Sequence, residues 1–176
     1  MDAVNTHQVF DWLWTSGQLS ERDIHQLPAL GVEVVVNLAL PTSSNALPGE
    51  AEWVTRAGLA YVQIPVEWAH PEPGQFAQFV GVLEAFRGRT VWVHCAMNMR
   101  VSAFIYLYRR LVLSESAEAA SFPCARYGVR MKPGRPSSTR FCGQGPTRSN
   151  RVITRPDRFI LAATIPAASR RHLPRR

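Results

Sequence analysis

Val91-Trp92-Val93-His94-Cys95-Ala96-Met97-Asn98-Met99-Arg100-Val101-Ser102 decides how this chain is read. An apolar run ends in a His-Cys pair, an Arg follows five positions after the Cys, and a helical pattern runs from Ser102 to Leu113. A strand would deliver the cysteine and a helix would start beside it. Such a loop points several backbone N–H groups and the positive end of the helix dipole into one small concavity, which is an anion site. The same field favours thiolate over thiol, so a cysteine there can act as a nucleophile. Arg100 adds a permanently charged planar fork that can hold two oxygens of a tetrahedral anion. Cys95 and Arg100 around a phosphate-sized hole imply a covalent phosphocysteine route.

Upstream of this loop, strand and helix signals alternate. Ser20-Glu21-Arg22-Asp23 reads as a helix cap, and that helix stops at Gly31. Val32 to Leu38 is a β-branched run suited to a buried strand. Glu50 to Ala57 reads as a short helix ending at Gly58, and Leu59 to Ile64 as a strand. Pro73 suits the first turn of a helix over Gln75 to Phe86, whose Phe76, Phe79, Val80 and Leu83 share one face. Thr90 to His94 then returns to the sheet. The alternation predicts an α/β fold with a mainly parallel sheet flanked by helices, and ligands at the carboxyl ends of the strands. Cys95 lies at such an end.

The loop resembles that of cysteine-dependent protein tyrosine and dual-specificity phosphatases, whose pattern is His-Cys-x5-Arg-Ser/Thr. Here the spacing is Cys-x4-Arg, one residue short, a variant that some bacterial relatives share. Asn98 stands where the family usually has Gly, and Asn tolerates positive φ. Ser102 stands seven after Cys95, with Val101 between it and Arg100. Three further segments look like the family's successive strand ends: Ser16-Gly17-Gln18-Leu19, Gly31 to Leu38, and Gly58 to Val66. The likeness spans roughly residues 8 to 121 and implies a dual-specificity phosphatase-like fold. It implies Cys95 as nucleophile, Arg100 as anion holder and Ser102 as the hydroxyl that assists departure of the thiolate. His94, Ala96, Met97, Asn98 and Met99 would form the substrate-binding loop, with His94 orienting it by hydrogen bonding. A phosphorylated protein or small molecule is the implied substrate. Neither cofactor nor metal is needed, because the loop itself supplies the positive field.

The same residues have plainer readings. A buried cysteine at a strand end is ordinarily a small core hydrophobe, and Met97 and Met99 can simply pack under the loop. The general acid is the weakest part of the pattern. Ile64-Pro65-Val66-Glu67-Trp68 looks like the family's Ile-Pro-Val-Glu-Asp, so Trp68 occupies the position of the acid. Glu67 is the leading substitute and Glu72 a second, since a carboxyl group needs only reach and a suitable pKa. Either could equally be a solvated loop side chain. Two other readings compete: a rhodanese-like sulfurtransferase, whose loop also spans six residues, and a catalytically weak phosphate- or phosphoprotein-binding module.

Charge divides the chain in two. The whole carries +7, yet residues 1–122 hold seven Arg against twelve Asp and Glu, while 123–176 hold thirteen Lys and Arg against Asp157 alone. We expect a phosphatase-like domain over 1–121 and a basic tail over 122–176 that is either disordered or out of frame. A genuine tail of this composition would suit nucleic acid or another acidic surface. Nineteen Arg against one Lys point instead to GC-rich coding DNA, which read out of frame yields Arg, Pro, Gly and Ser. The shift would fall near Ser121-Phe122-Pro123. No apolar run reaches 18 residues and Met1-Asp2-Ala3-Val4-Asn5 lacks a signal-peptide pattern, so the expectation is a cytoplasmic protein without a membrane partner. Cys95, Cys124 and Cys142 have neither disulfide-framework nor zinc spacing.

Overall fold

The computed structural model describes residues 1–127, so most of the basic tail lies outside the described residues. Five strands form one mixed sheet: β1 (His7–Phe10), β2 (Leu13–Ser16), β3 (Val34–Asn37), β4 (Ala60–Gln63) and β5 (Val91–His94), in the order β1-β2-β5-β3-β4. Only the β1–β2 hairpin is antiparallel; β2, β5, β3 and β4 run parallel. The β1–β2 hairpin is the part that no upstream periodicity announced, because Trp12-Leu13-Trp14-Thr15-Ser16 is short and mixes apolar with polar residues.

Four helices cover the sheet: α1 (Glu21–Gln26), α2 (Glu50–Arg56), α3 (Pro73–Ala85) and α4 (Met99–Leu111). The cap at Ser20 is the reciprocal one: Ser20 Oγ accepts from the Asp23 N–H at 3.1 Å and Asp23 Oδ2 accepts from the Ser20 N–H at 3.0 Å. Burial alone would raise the Asp23 pKa, but hydrogen bonds from Ser20 and Asp2 outweigh it and hold the carboxyl below its usual value. The α-helix ends before Pro28, which opens a 3-10 turn, Pro28–Leu30, and Gly31 closes it at φ 74°, a conformation that favours glycine.

Period-two alternation sorts the strand residues onto two faces. Val34, Val36, Val91 and Val93 pack with Phe79, Leu83, Phe104 and Ile105 of α3 and α4. Val35 and Trp92 pack on the other face with Ile24, Leu27 and Val54. Each of these side chains is fully or almost fully buried, worth roughly 1.5–3 kcal/mol apiece relative to exposure. The alternation carries into the site: His94 follows Trp92 onto the α1/α2 side, and Cys95 follows Val93 onto the α3/α4 side. The fold continues past residue 121, with Ala120 and Cys124 buried against Tyr106, and Arg109 Nη1 donating to Phe122 O at 3.1 Å.

Candidate active site

β5 ends at His94 and α4 begins at Met99, three residues earlier than the sequence pattern indicates. The helix can start there because Asn98, at φ 66°, accepts the left-handed turn that precedes its first residue. Arg100 is therefore on the first turn of the helix rather than ahead of it. The N–H groups of Met99, Arg100 and Val101 have no acceptor within α4, whose first internal bond is Ser102 N–H to Asn98 O at 2.9 Å.

Neighbouring segments pull the loop's carbonyls outward. Ala96 O accepts from the Gln18 N–H at 3.2 Å and from Asn45 Nδ2 at 2.9 Å, and Met97 O accepts from Asn5 Nδ2 at 3.0 Å. Cys95 is buried, with its N–H donating to Ser16 O at 3.3 Å. Ala96 is half-buried, whereas Met97 and Met99 are exposed rather than packed beneath the loop.

Arg100 reaches across the carboxyl ends of the strands. Its Nη1 donates to Leu38 O at 3.2 Å and to Val66 O at 3.0 Å. Among the described residues Nε and Nη2 have no acceptor, so the second prong of the fork is uncommitted. The loop after β4 is held from two sides: Arg100 takes Val66 O, and Gln75 Nε2 donates to Pro65 O at 2.9 Å. Glu67 follows directly. Its side chain is exposed, and Oε2 lies 3.6 Å from His70 Nδ1. Glu72 caps α3, its N–H donating to Gln75 Oε1 at 2.9 Å. Trp68, in the acid's usual position, is exposed.

His94 is fully buried, and its place on the α1/α2 side sets it behind the loop. Its ring completes no hydrogen bond, although Nε2 lies 3.0 Å from Glu50 Oε1. Ser102 is buried with its hydroxyl unpartnered, and no bond to Cys95 is made. Every buried side-chain polar atom without a partner among the described residues belongs to Gln18, His94, Asn98 or Ser102. All four residues lie in or beside the loop that carries Cys95.

Sequence reasoning did not find Glu50, Asn5, Asn37 or Thr15, all of which support the loop. Nothing in their sequence surroundings distinguishes them from surface residues. Asn37, at the end of the valine run, is the one signal available in principle: a polar residue closing a buried strand needs a partner. Among the described residues no group of three or more His, Cys, Asp or Glu is placed to hold a metal ion. No described helix is long and apolar enough to cross a membrane.

A cysteine at the end of a central parallel strand and an arginine on the first turn of the next helix define the phosphatase-type loop of the dual-specificity class. The chain belongs to the family described as a DSP-type protein tyrosine phosphatase fused to NAD+ kinase, whose model matches residues 2–137. Among solved structures it is similar to a DUF442 phosphatase candidate from Shewanella putrefaciens CN-32, 34% identical over 67% of this chain and 76% of that one, with a TM-score of 0.63. It shares its fold with P. aeruginosa TpbA, solved with phosphotyrosine, at 20% identity, 66% and 69% coverage and a TM-score of 0.56. Tk-PTP gives 18% identity, 73% and 85% coverage and a TM-score of 0.60. A comparison with curated proteins gives no match.

Proposed function

We propose that this chain hydrolyses phosphoric monoesters through a phosphocysteine intermediate. The Cys95 thiolate attacks phosphorus, the P–O bond to the leaving group breaks, and the departing alkoxide or phenoxide takes a proton from Glu67. Water, deprotonated by the same carboxylate, then attacks phosphorus, and the S–P bond breaks to return thiolate and inorganic phosphate. Arg100 and the amides that open α4 hold the equatorial oxygens throughout, and Ser102 supplies a hydroxyl for the leaving thiolate. The observation that carries this reading is the strand-to-helix turn itself. It puts Cys95 and Arg100 at the carboxyl end of β5, with uncommitted amides and an uncommitted guanidinium edge between them.

TpbA was solved with phosphotyrosine, which makes an aromatic phosphoester the first substrate class to test. The family joins its phosphatase to an NAD+ kinase. The 2′-phosphate that such a kinase installs on NAD is an alkyl-type monoester, so NADP is the second.

The deciding assay uses para-nitrophenyl phosphate, whose good leaving group needs little protonation. The chain should turn it over, Cys95→Ser should not, and a phosphocysteine adduct should be trapped by acid quenching. Phosphotyrosine and NADP, with poorer leaving groups, should react more slowly and depend on Glu67, with Glu67→Gln costing about 10²- to 10⁴-fold. Cys95-dependent thiocyanate from thiosulfate and cyanide would make the chain a sulfurtransferase instead. Silence in both assays with intact vanadate binding would make it a phosphate-binding module.

A further inference from the structure

Behind the loop, on the face of the sheet away from Cys95, lies a carboxylate that the reaction above does not use. Glu50 is buried, and four side chains, from three strands and the loop after β2, converge on it. Gln18 Nε2 donates to Oε1 at 2.9 Å, and His94 Nε2 lies 3.0 Å from the same oxygen. Asn37 Nδ2 donates to Oε2 at 2.6 Å, and Tyr61 Oη, whose one proton is offered both Oε2 at 3.3 Å and Gln63 Oε1 at 3.0 Å, stands beside it. Among the described residues no arginine pairs with it. Burying a carboxylate this completely is costly unless its acceptor sites are filled, so the arrangement is specific to an acid at this position.

Three of these partners lead to different parts of the site. His94 is bonded directly to Cys95 in the chain. Gln18 donates its own N–H to Ala96 O, one of the two carbonyls drawn outward. Asn37 Oδ1 accepts from the Ala39 N–H at 2.7 Å, fixing the turn whose Leu38 carbonyl receives Arg100. One carboxylate thus ties down the nucleophile, an adjoining carbonyl and the arginine's anchor.

We infer that Glu50 is the positioning residue of this site, holding Cys95 and Arg100 in register through His94, Gln18 and Asn37. The inference rests on the phosphatase reading for its kinetics but not for its test, because the reactivity of Cys95 can be measured without turnover. Glu50→Gln keeps the shape and presents an N–H₂ group to donors. Misplacement of reacting groups by about 1 Å costs on the order of a hundredfold.

In the full chain, kcat for para-nitrophenyl phosphate and the rate of Cys95 alkylation by iodoacetamide, followed by mass spectrometry of its peptide, should both fall about ten- to a hundredfold in Glu50→Gln. KM should rise by less than kcat falls, because the α4 amides still bind phosphate while Arg100 loses part of its anchorage. Glu50→Asp should recover part of both losses, and Glu52→Gln, on the exposed face of α2, should leave them unchanged. A Glu50→Gln protein that melts earlier yet keeps wild-type kcat and alkylation at a permissive temperature would reduce Glu50 to a purely structural role and overturn the inference. If Glu50→Gln does not fold, Gln18→Met decides: several-fold slower alkylation supports the hub, and a wild-type rate overturns it. If the wild-type chain turns over nothing, the phosphatase reading fails while alkylation still reads the hub.

Discussion

Asn98 and Asn5, 93 positions apart in the chain, hold each other's segments. Asn98 Nδ2 donates to Asn5 O at 2.6 Å, and Asn5 Nδ2 donates to Met97 O at 3.0 Å. Asn98 Nδ2 also reaches Thr15 Oγ1 at 3.1 Å. A glycine at position 98 would allow the same backbone turn, but it could not anchor the loop to β2 and the N-terminal segment. In a loop one residue shorter than the common phosphatase pattern, this side chain supplies a fixed point inside the turn.

Substitution at Asn98 separates backbone freedom from anchoring. Asn98→Gly should destabilise the chain by about 1–3 kcal/mol, the cost of leaving buried partners unpaired. Asn98→Ala should cost roughly 1 kcal/mol more, because alanine resists the left-handed conformation. Urea unfolding measures both. A glycine variant as stable as wild type would show that the side-chain bonds contribute nothing net.

Anion binding should survive even where turnover is poor. Vanadate or phosphate should stabilise the fold by mass action, by about 2.7 kcal/mol at a hundredfold excess over Kd, and so raise the melting temperature. Arg100→Ala should remove most of that gain and also loosen the loop after β4, since the guanidinium holds Val66 O. Thermal shift measured with and without vanadate checks both effects; unchanged protection in the variant would place the anion elsewhere.

Alkaline pH should weaken the fold through the Glu50 network. Burial, and then the neighbouring Glu50 charge, push the Tyr61 phenol up from 10.0 to about 12. The folded chain therefore holds this proton more tightly than the unfolded chain. Its contribution is complete below the unfolded value near 10 and is lost as pH rises towards 12. Tyr108 shifts in the same direction, chiefly through burial. Melting temperature should fall between pH 10 and 12, and less steeply in Tyr61→Phe. Equal slopes in the two proteins would show that Tyr61 does not govern the loss.

The tail proposal can be tested by truncation. Removing everything after Tyr127 should leave the melting temperature unchanged if the segment beyond is out of frame. Ending the chain at Ala120 should lower it, because Pro123 and Cys124 are buried against the domain. Restoring the alternative frame should raise it above the starting value. Resequencing the coding DNA settles the frame, and an uninterrupted frame through Ser121 in independent isolates would remove the proposal.

Local signals in the sequence were enough for three of the five strands, β3, β4 and β5, and for the alternation of strands and helices from α1 onward. A valine run, glycine stops at Gly31 and Gly58, a Ser20 cap and a His-Cys turn before a helix are each written within a few adjacent residues. Backbone sterics and burial act over that range, so Cys95 and Arg100 could be read as a pair. The start of α4 at Met99 was not legible, because it depends on Asn98 adopting φ 66° with its side chain anchored to residues more than 80 positions earlier.

Tertiary structure alone decided what stands around the pair. Alternation along β5 sends His94 and Cys95 to opposite faces, and only the packing of α2 puts Glu50 beneath His94. Val66 and Leu38 became arginine acceptors because parallel strands bring their carboxyl ends together. Asn5, Gln18, Asn37, Glu50 and Tyr61 are ordinary polar residues one by one, and they form a site because burial obliges each to find a partner. The sequence determined which groups could react; the fold decided which of them are held, by what, and facing which way.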